Sequence, residues 1–244
     1  MANQTPPLFE FLDTAKKCAE AARVDNTNAL SRCADLDAFI GRSTSDRLDS
    51  PLAAILRLSS RAMFCSSINT ALIGYRAGLF PTLRACLEAA CYAQEIESKP
   101  HLAEVWLKRQ ESPEAHKKCR RAFGEAVKAT CKRLSKRMPD NAELVSQMYD
   151  SMIDRGAHPN VRSILPSIRM TETDTHHEVA IDFVVPGDVE SSLFCCYEIG
   201  LFTSWLLGDL EKLDEPFWEE ASRLNDIKNT WEQELIEKKQ LRQQ

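Results

Sequence analysis

Residues 50–76, SPLAAILRLSSRAMFCSSINTALIGYR, decide the fold. Ser50 can cap a helix and Pro51 suits the first turn, where a missing N–H costs nothing, so the spacing predicts a long helix from Leu52 to about Arg76. One stripe of it carries Leu52, Ile55, Leu56, Ser59, Ala62, Met63, Ser66 and Ile73, while Leu58, Ile68, Leu72 and Tyr75 fall on other sides. Apolar groups on several faces imply a central helix packed by neighbours all round. Gly78 and Pro81 are expected to interrupt the path. Pro81 then opens a further helix, PTLRACLEAACYAQEIE, whose core face is Leu83, Cys86, Leu87 and Ala90.

The same periodicity extends in both directions. Residues 8–24 and 27–40 read as two amphipathic helices forming a hairpin around Asp25-Asn26, followed by a polar loop at 41–50. A short helix at 101–110 is expected. A second cap pair, Ser112-Pro113, starts a pattern running to Arg137, and the next helix covers 141–155 before Gly156 and Pro159 stop it. Between 164 and 185 the period of 3.6 is lost. Two β-favouring runs, 168–171 and 178–185, flank Asp174-Thr175-His176-His177 and predict a short hairpin or an extended lid. Pro186-Gly187-Asp188 starts a strongly apolar helix to Leu213, and Glu215-Pro216 starts the last, with Phe217, Ala221, Leu224, Trp231 and Leu235 at helical spacing. The expected architecture is an all-α, single-domain helical bundle over 1–244. Its parts are an N-terminal hairpin and loop (1–50), a central bundle (51–160), the β hairpin or lid (161–186) and C-terminal helices (187–244).

Eight glycines and eleven prolines in 244 residues leave little room for a turn-rich β sandwich. A net charge of −5 and a pI near 5.6 argue against a surface built throughout to hold nucleic acid, so charge is read locally. Residues 108–137 hold eleven of the 31 Lys and Arg, with Lys117, Arg121, Lys128, Lys132 and Lys136 near one stripe and Phe123, Val127, Thr130 and Leu134 on the other. Without interleaved aromatics to stack on bases, that stripe reads as a solvated face. Nine cysteines, with no C-x-x-C pair among them, suit buried thiols in a reducing cytoplasm. No leader is legible at the start of the sequence. The apolar run 193–207 is shorter than the ~20 residues a span needs and contains Glu198, so it reads as a core helix and no membrane is expected as a partner.

Chemistry concentrates in residues 149–160, YDSMIDRGAHPN, where a helical pattern meets a Gly-Ala-His-Pro-Asn stop. Asp150, Asp154 and His158 would share a face of a continuous helix, but Gly156 and Pro159 end it first, so a capped helix end is expected and no metal site. Arg84 and Glu88 stand one turn apart, with Glu95 continuing that side. Arg before Glu is the weaker order for an exposed pair, which favours a buried polar contact with another helix. Arg169 and His176 reproduce an Arg-x6-His string, but on strand or loop rather than on the helix that a nuclease pair requires. No phosphate loop, nucleophile elbow or zinc-helix signature occurs, and no cofactor is expected.

Three short runs carry a resemblance: residues 83–90 (LRACLEAA), 103–109 (AEVWLKR) and 156–160 (GAHPN). Across roughly 52–160 the chain resembles a group of bacterial helical proteins of uncharacterised function, itself distantly similar to HEPN-type helical bundles, a class that includes RNases and nucleotide-binding toxins or defence proteins. The resemblance implies a shared polar cluster of Arg84, Glu88, Tyr149, His158 and Asn160. The sequence departs from the nuclease pattern, since only two residues separate Arg155 from His158. The leading expectation is therefore a non-catalytic binding or interaction protein, self-associating into a homo-oligomer, with a nucleotide or anionic small molecule held between helices. The alternatives are a metal-independent RNase with His158 and Arg155 as its catalytic candidates, RNA being its substrate, or a buried polar network with no ligand.

Overall fold

In the computed structural model, which describes residues 7–44, 50–157, 165, 168–172, 176–181, 184, 189–207 and 215–241, both sequence caps are formed. Ser50 Oγ accepts from Ala53 N (3.4 Å) and Ser112 Oγ from Ala115 N (3.0 Å), each followed by proline in the first turn. The helices are α1 (Pro7–Asp25), α2 (Thr27–Thr44), α3 (Pro51–Ile73), α4 (Arg76–Ser98), α5 (Leu102–Leu107, continued as a 3-10 turn at Lys108–Gln110), α6 (Pro113–Phe123), α7 (Ala126–Leu134) and α8 (Pro139–Met152). A π-helical turn, Ile153–Ala157, follows α8; then come β1 (Ile168–Glu172), β2 (His177–Ile181), α9 (Val189–Leu207) and α10 (Glu215–Leu241). This is the all-α bundle the periodicity predicts. The β strands form an antiparallel hairpin in which Ile168 faces Ile181 and Glu172 faces His177. Arg169 thus lies in a strand and His176 just before one, off any helix.

The centre of the bundle is the α3–α4 pair with α9 laid across both. On α4 the expected face is sealed: Leu83, Cys86, Leu87 and Ala90 are all buried. On α3 the expectation needs correcting. The buried stripe is Ala53, Leu56, Arg57, Ser60, Phe64, Ser67 and Ala71, whereas Ile55 and Leu58 are 58% and 55% exposed. Size selects that stripe. Small residues let the partner helices approach, and the hydroxyls they bring are satisfied locally, Ser60 Oγ donating to Cys86 O (2.8 Å) and Ser67 Oγ to Phe64 O (2.7 Å). Gly200 of α9 completes the crossing, since a Cβ there would clash with the edge of the Phe64 ring, 2.8 Å from Cδ2, and stand 3.1 Å from Leu36 Cδ2.

Other boundaries also move. Gly74 (φ 78°), rather than Gly78, ends α3, because a left-handed residue can close a helix without steric cost. Pro81 then falls inside α4, in its second turn, where it forfeits a single backbone bond while Thr82 Oγ1 donates to Gly78 O (2.7 Å). The pattern after Ser112 breaks where Gly124 meets Glu125, whose φ of −111° and ψ of 18° leave helical space. α2 runs through Gly41 to Thr44, with Ser43 Oγ and Thr44 Oγ1 turned back onto Phe39 O and Gly41 O, so only 45–49 of the expected loop is left, outside the described residues. Asn26 alone joins α1 to α2, its N–H and Nδ2 both donating to Ala22 O (3.0 Å). Both helices lean on α3 more than on each other.

α9 is buried without a break from Ile199 to Leu207, and no helix among the described residues is long and apolar enough to cross a membrane. Residues 208–213 of its expected span lie outside the described residues. Tyr197 OH donates to Leu224 O (2.9 Å), pinning α10, whose Ala221, Leu224, Trp231 and Leu235 are buried as the spacing predicts. All nine cysteines are free thiols.

Two substitutions test this centre. Leu87→Ala, at 0% exposure, is expected to lower unfolding free energy by about 2–5 kcal/mol through cavity formation. Gly200→Ala is expected to cost about 1–3 kcal/mol for the opposite reason, overpacking against Phe64. Urea melts report both, and a Gly200→Ala variant as stable as the parent would show that the α3–α9 crossing is looser than described.

Candidate functional site

Three of the five residues in the expected cluster meet. Arg84 and Glu88 lie one turn apart on α4, and Tyr149 reaches them from the last turns of α8. Arg84 Nε donates to Glu88 Oε1 (2.8 Å), Tyr149 OH donates to the same oxygen (2.8 Å), and Arg84 Nη2 donates to the phenol oxygen (3.4 Å). The guanidinium also stands 5.5 Å from the Tyr149 ring centroid, within cation–π range. The Arg84 and Glu88 side chains keep 29% and 28% of their surface in solvent, so the cluster forms the wall of a seam rather than a sealed core. His158 and Asn160 lie outside the described residues.

The electrostatics follow from that geometry. Burial, then the hydrogen bond and charge of Glu88, push the Tyr149 phenol up to about 12. Burial alone would pull the Arg84 guanidinium down, but its hydrogen bond and charge interaction with Glu88 leave it above its ordinary value. The stripe continues one turn on to half-buried Tyr92, raised by burial and by Glu88, its ring packed 4.7 Å from that of Phe123.

The neighbouring π-turn fixes how α8 meets α4. A Cβ at Gly156 would fall 2.8 Å from both Phe80 Cβ and Pro81 Cδ, so glycine is what lets this turn lie against the proline of α4. Arg155 is exposed and sits over the Phe80 ring, 5.6 Å from its centroid. Asp150, in the last turn of α8, and Asp154, in the π-turn, are exposed too.

Glu95 does not extend the cluster as its spacing suggests. α7, not α8, covers that level of α4, and Glu95, 2% exposed, accepts from Arg133 Nη1 (2.6 Å) and Lys99 Nζ (3.0 Å), while Arg133 Nη2 donates to Thr130 Oγ1 (3.1 Å). Arg133 turns inward from a basic segment whose Lys117, Arg121, Lys128, Lys132 and Lys136 are all exposed, the solvated face expected there. Sequence reading missed this pair. The available signal was Thr130 and Arg133 at i, i+3 beside buried Leu134. Also unforeseen were the bidentate pairs Arg61–Asp37 (2.8 and 2.8 Å) and Arg32–Glu234 (2.9 and 2.9 Å), whose partners are far apart in the sequence.

Comparison of the chain with protein-family models, curated proteins and solved structures gives no match. The residues themselves therefore carry the functional argument.

The Tyr149 proton is a direct probe of the cluster. A phenol whose folded value is raised contributes stability that is present below its unfolded value, about 10, and is lost as pH rises through its folded value of about 12. The difference between the ultraviolet titrations of the parent and of Tyr149→Phe isolates this phenol from Tyr197, which burial also raises, and in Glu88→Gln, which removes the negative acceptor, the same phenol should ionise earlier. An unchanged Tyr149 transition in Glu88→Gln would mean that burial alone holds the proton.

Proposed function

We propose that the protein is a non-catalytic binding or interaction protein that takes an anionic or polar small molecule, a nucleotide being the class in view, at Arg84, Glu88 and Tyr149. His158 and Asn160 belong to the same site in this reading, carried by the segment that follows the π-turn. The observation that supports it most is the half-exposed guanidinium of Arg84, held in place by a carboxylate and a phenol at 2.8 and 3.4 Å. Such a group can exchange its partner for a phosphate or carboxylate with little reordering, because its geometry is fixed before the ligand arrives. The shifts at Tyr149, Cys86 and Cys91 are all upward, away from the ionised forms that nucleophilic chemistry uses, which favours binding over catalysis. The distant resemblance of residues 52–160 to HEPN-type bundles is in keeping with the nucleotide class. Free thiols throughout support a reducing, cytoplasmic setting. Exposed Leu8, Phe9 and Leu12 on α1 support self-association.

A second reading is favoured by one feature: the three groups satisfy one another, as a purely structural network would. A thermal-shift screen with nucleotides and small anions separates the two. On the binding reading a ligand at about a hundred times its Kd stabilises the native state by about 2.7 kcal/mol, and Arg84→Gln abolishes that shift while the unliganded melt stays near that of the parent. If Arg84→Gln instead collapses the melt and no ligand moves the parent, the network is structural. Cleavage of single-stranded RNA in EDTA, lost in His158→Ala, would replace both with the RNase reading.

A further inference from the structure

The outer face of α3 carries a repeat of its own. Pro51, Ile55, Leu58, Ala62, Cys65 and Asn69 are all exposed, and they recur at intervals of four, three, four, three and four residues. That alternation averages 3.5 and marks the a and d positions of a coiled-coil seam, here turned away from the core that α3 shares with α4 and α9. Ile55 and Leu58, neighbours on this face, each leave more than half of their surface in water. The seam is also uncharged. α3 has two ionic residues: Arg57 is buried, and Arg61 is held against Asp37 by two hydrogen bonds of 2.8 Å. About five turns of exposed helix face therefore carry no charged side chain. The outer face of α6 shows the usual contrast, with Glu114, Lys117, Lys118, Arg120 and Arg121 all exposed.

Side-chain size changes along the seam. Ile55 and Leu58 make its first half large and apolar, whereas Ala62 and Cys65, with exposed Ser66 beside them, are small, and Asn69 closes it with an amide. A second copy laid antiparallel about a two-fold axis at Ala62 brings large against small at both ends: Ile55 meets Asn69, and Leu58 sits between Cys65 and Ser66. The two helices then stay evenly spaced. A parallel pair would set isoleucine on isoleucine at one end and small residues on small at the other, wedging the helices apart. A face that meets itself across a two-fold axis also repels its copy wherever it carries like charges, and this seam has none to bring together.

We propose that α3 pairs antiparallel with α3 of a second copy of the chain through this seam, with Ala62 on the two-fold axis. The dimer rests on the self-association proposed above and gives it an interface. α1, whose exposed Leu8, Phe9 and Leu12 stand among exposed Glu10 and Asp13, lies outside it. From Pro51 to Asn69 the seam is about 27 Å long and one helix wide, less than the roughly 800 Å2 per partner of a standard interface, so the dimer is weak, with a Kd in the micromolar range.

Sedimentation velocity of the full chain between about 1 and 500 μM reads this equilibrium, and a monomer–dimer transition within that range is expected. Ala62→Glu sets two carboxylates against each other on the axis and should weaken the dimer at least about tenfold. Leu58→Glu should do the same away from the axis. Both positions are exposed, so the melt of each diluted variant should stay near that of the parent. Leu12→Glu should leave the dimer unchanged. In a Cys65→Ser background, Ala62→Cys should form an intermolecular disulfide beyond that of the background alone. Ile55→Cys, about 10 Å along the helix from the axis and so about 20 Å from its symmetry mate, should not. A monomer throughout the range overturns the dimer and the self-association together. A dimer that survives both Ala62→Glu and Leu58→Glu overturns the α3 interface and leaves self-association standing, with loss in Leu12→Glu assigning it to α1. Crosslinking through Ile55→Cys in preference to Ala62→Cys overturns the antiparallel register.

Discussion

The distance between α3, α4 and α9 is the constraint on which the remaining packing depends. Helices commonly sit about 8–10 Å apart, the spacing depending on the side chains at the contact, and here those side chains are nearly absent: Ser60, Ser67, Cys86, Ala90, Cys196 and Gly200. Each brings a little polarity or none, and the hydroxyls of Ser60 and Ser67 are returned to backbone carbonyls, so neither is buried unpaired. Large groups are pushed to the flanks of the crossing. Phe64 lies under Gly200 with Leu36 of α2 beside it, while Tyr197 of α9 turns toward α10 and packs on Trp231. α8 and α10 then attach to the outer faces of this unit, and the Arg84–Glu88–Tyr149 cluster lies along the attachment of α8.

Two tiers of charge organise those outer faces. Deep in the α4–α7 seam, Glu95 is almost without solvent and is matched by Arg133 and Lys99; removing one partner of such a pair leaves an uncompensated buried charge, a loss of about 3–5 kcal/mol. Two turns earlier on α4, the Arg84–Glu88 pair remains open to water and contributes far less to stability. The contrast matters for function. A deep pair is committed to the fold, whereas a shallow one can change partners at small cost.

The helices were largely legible in the sequence because caps and periodicity are local. Ser50-Pro51 and Ser112-Pro113 announce their helices in two letters each, and the core face of α4 follows from a spacing of three and four. The face of α3 was misread for a physical reason: hydrophobicity marks Ile55 and Leu58, but the crossing is chosen by smallness, and Ser60 and Ser67 look like surface residues until a neighbouring helix is known. Pro81 misled similarly, since a proline in the second turn costs one bond and need not end a helix. For the site, Arg84 and Glu88 could be paired by their separation of four, and Tyr149 was reached through resemblance.

The burial of Cys33, Cys86, Cys91 and Cys196 bears on how the chain survives oxidation. Exclusion from water raises each of these thiols far enough that the reactive thiolate is suppressed while the bundle stays closed. Global opening releases them together, in a chain that carries nine thiols and no disulfide to guide their pairing. An oxidant therefore acts on these four thiols as a ratchet: unable to reach them in the native state, it captures any opened molecule in mismatched crosslinks before the helices can close. The lifetime of the protein under oxidising conditions is then set by how often the α3–α4–α9 unit opens, a kinetic quantity rather than an equilibrium one.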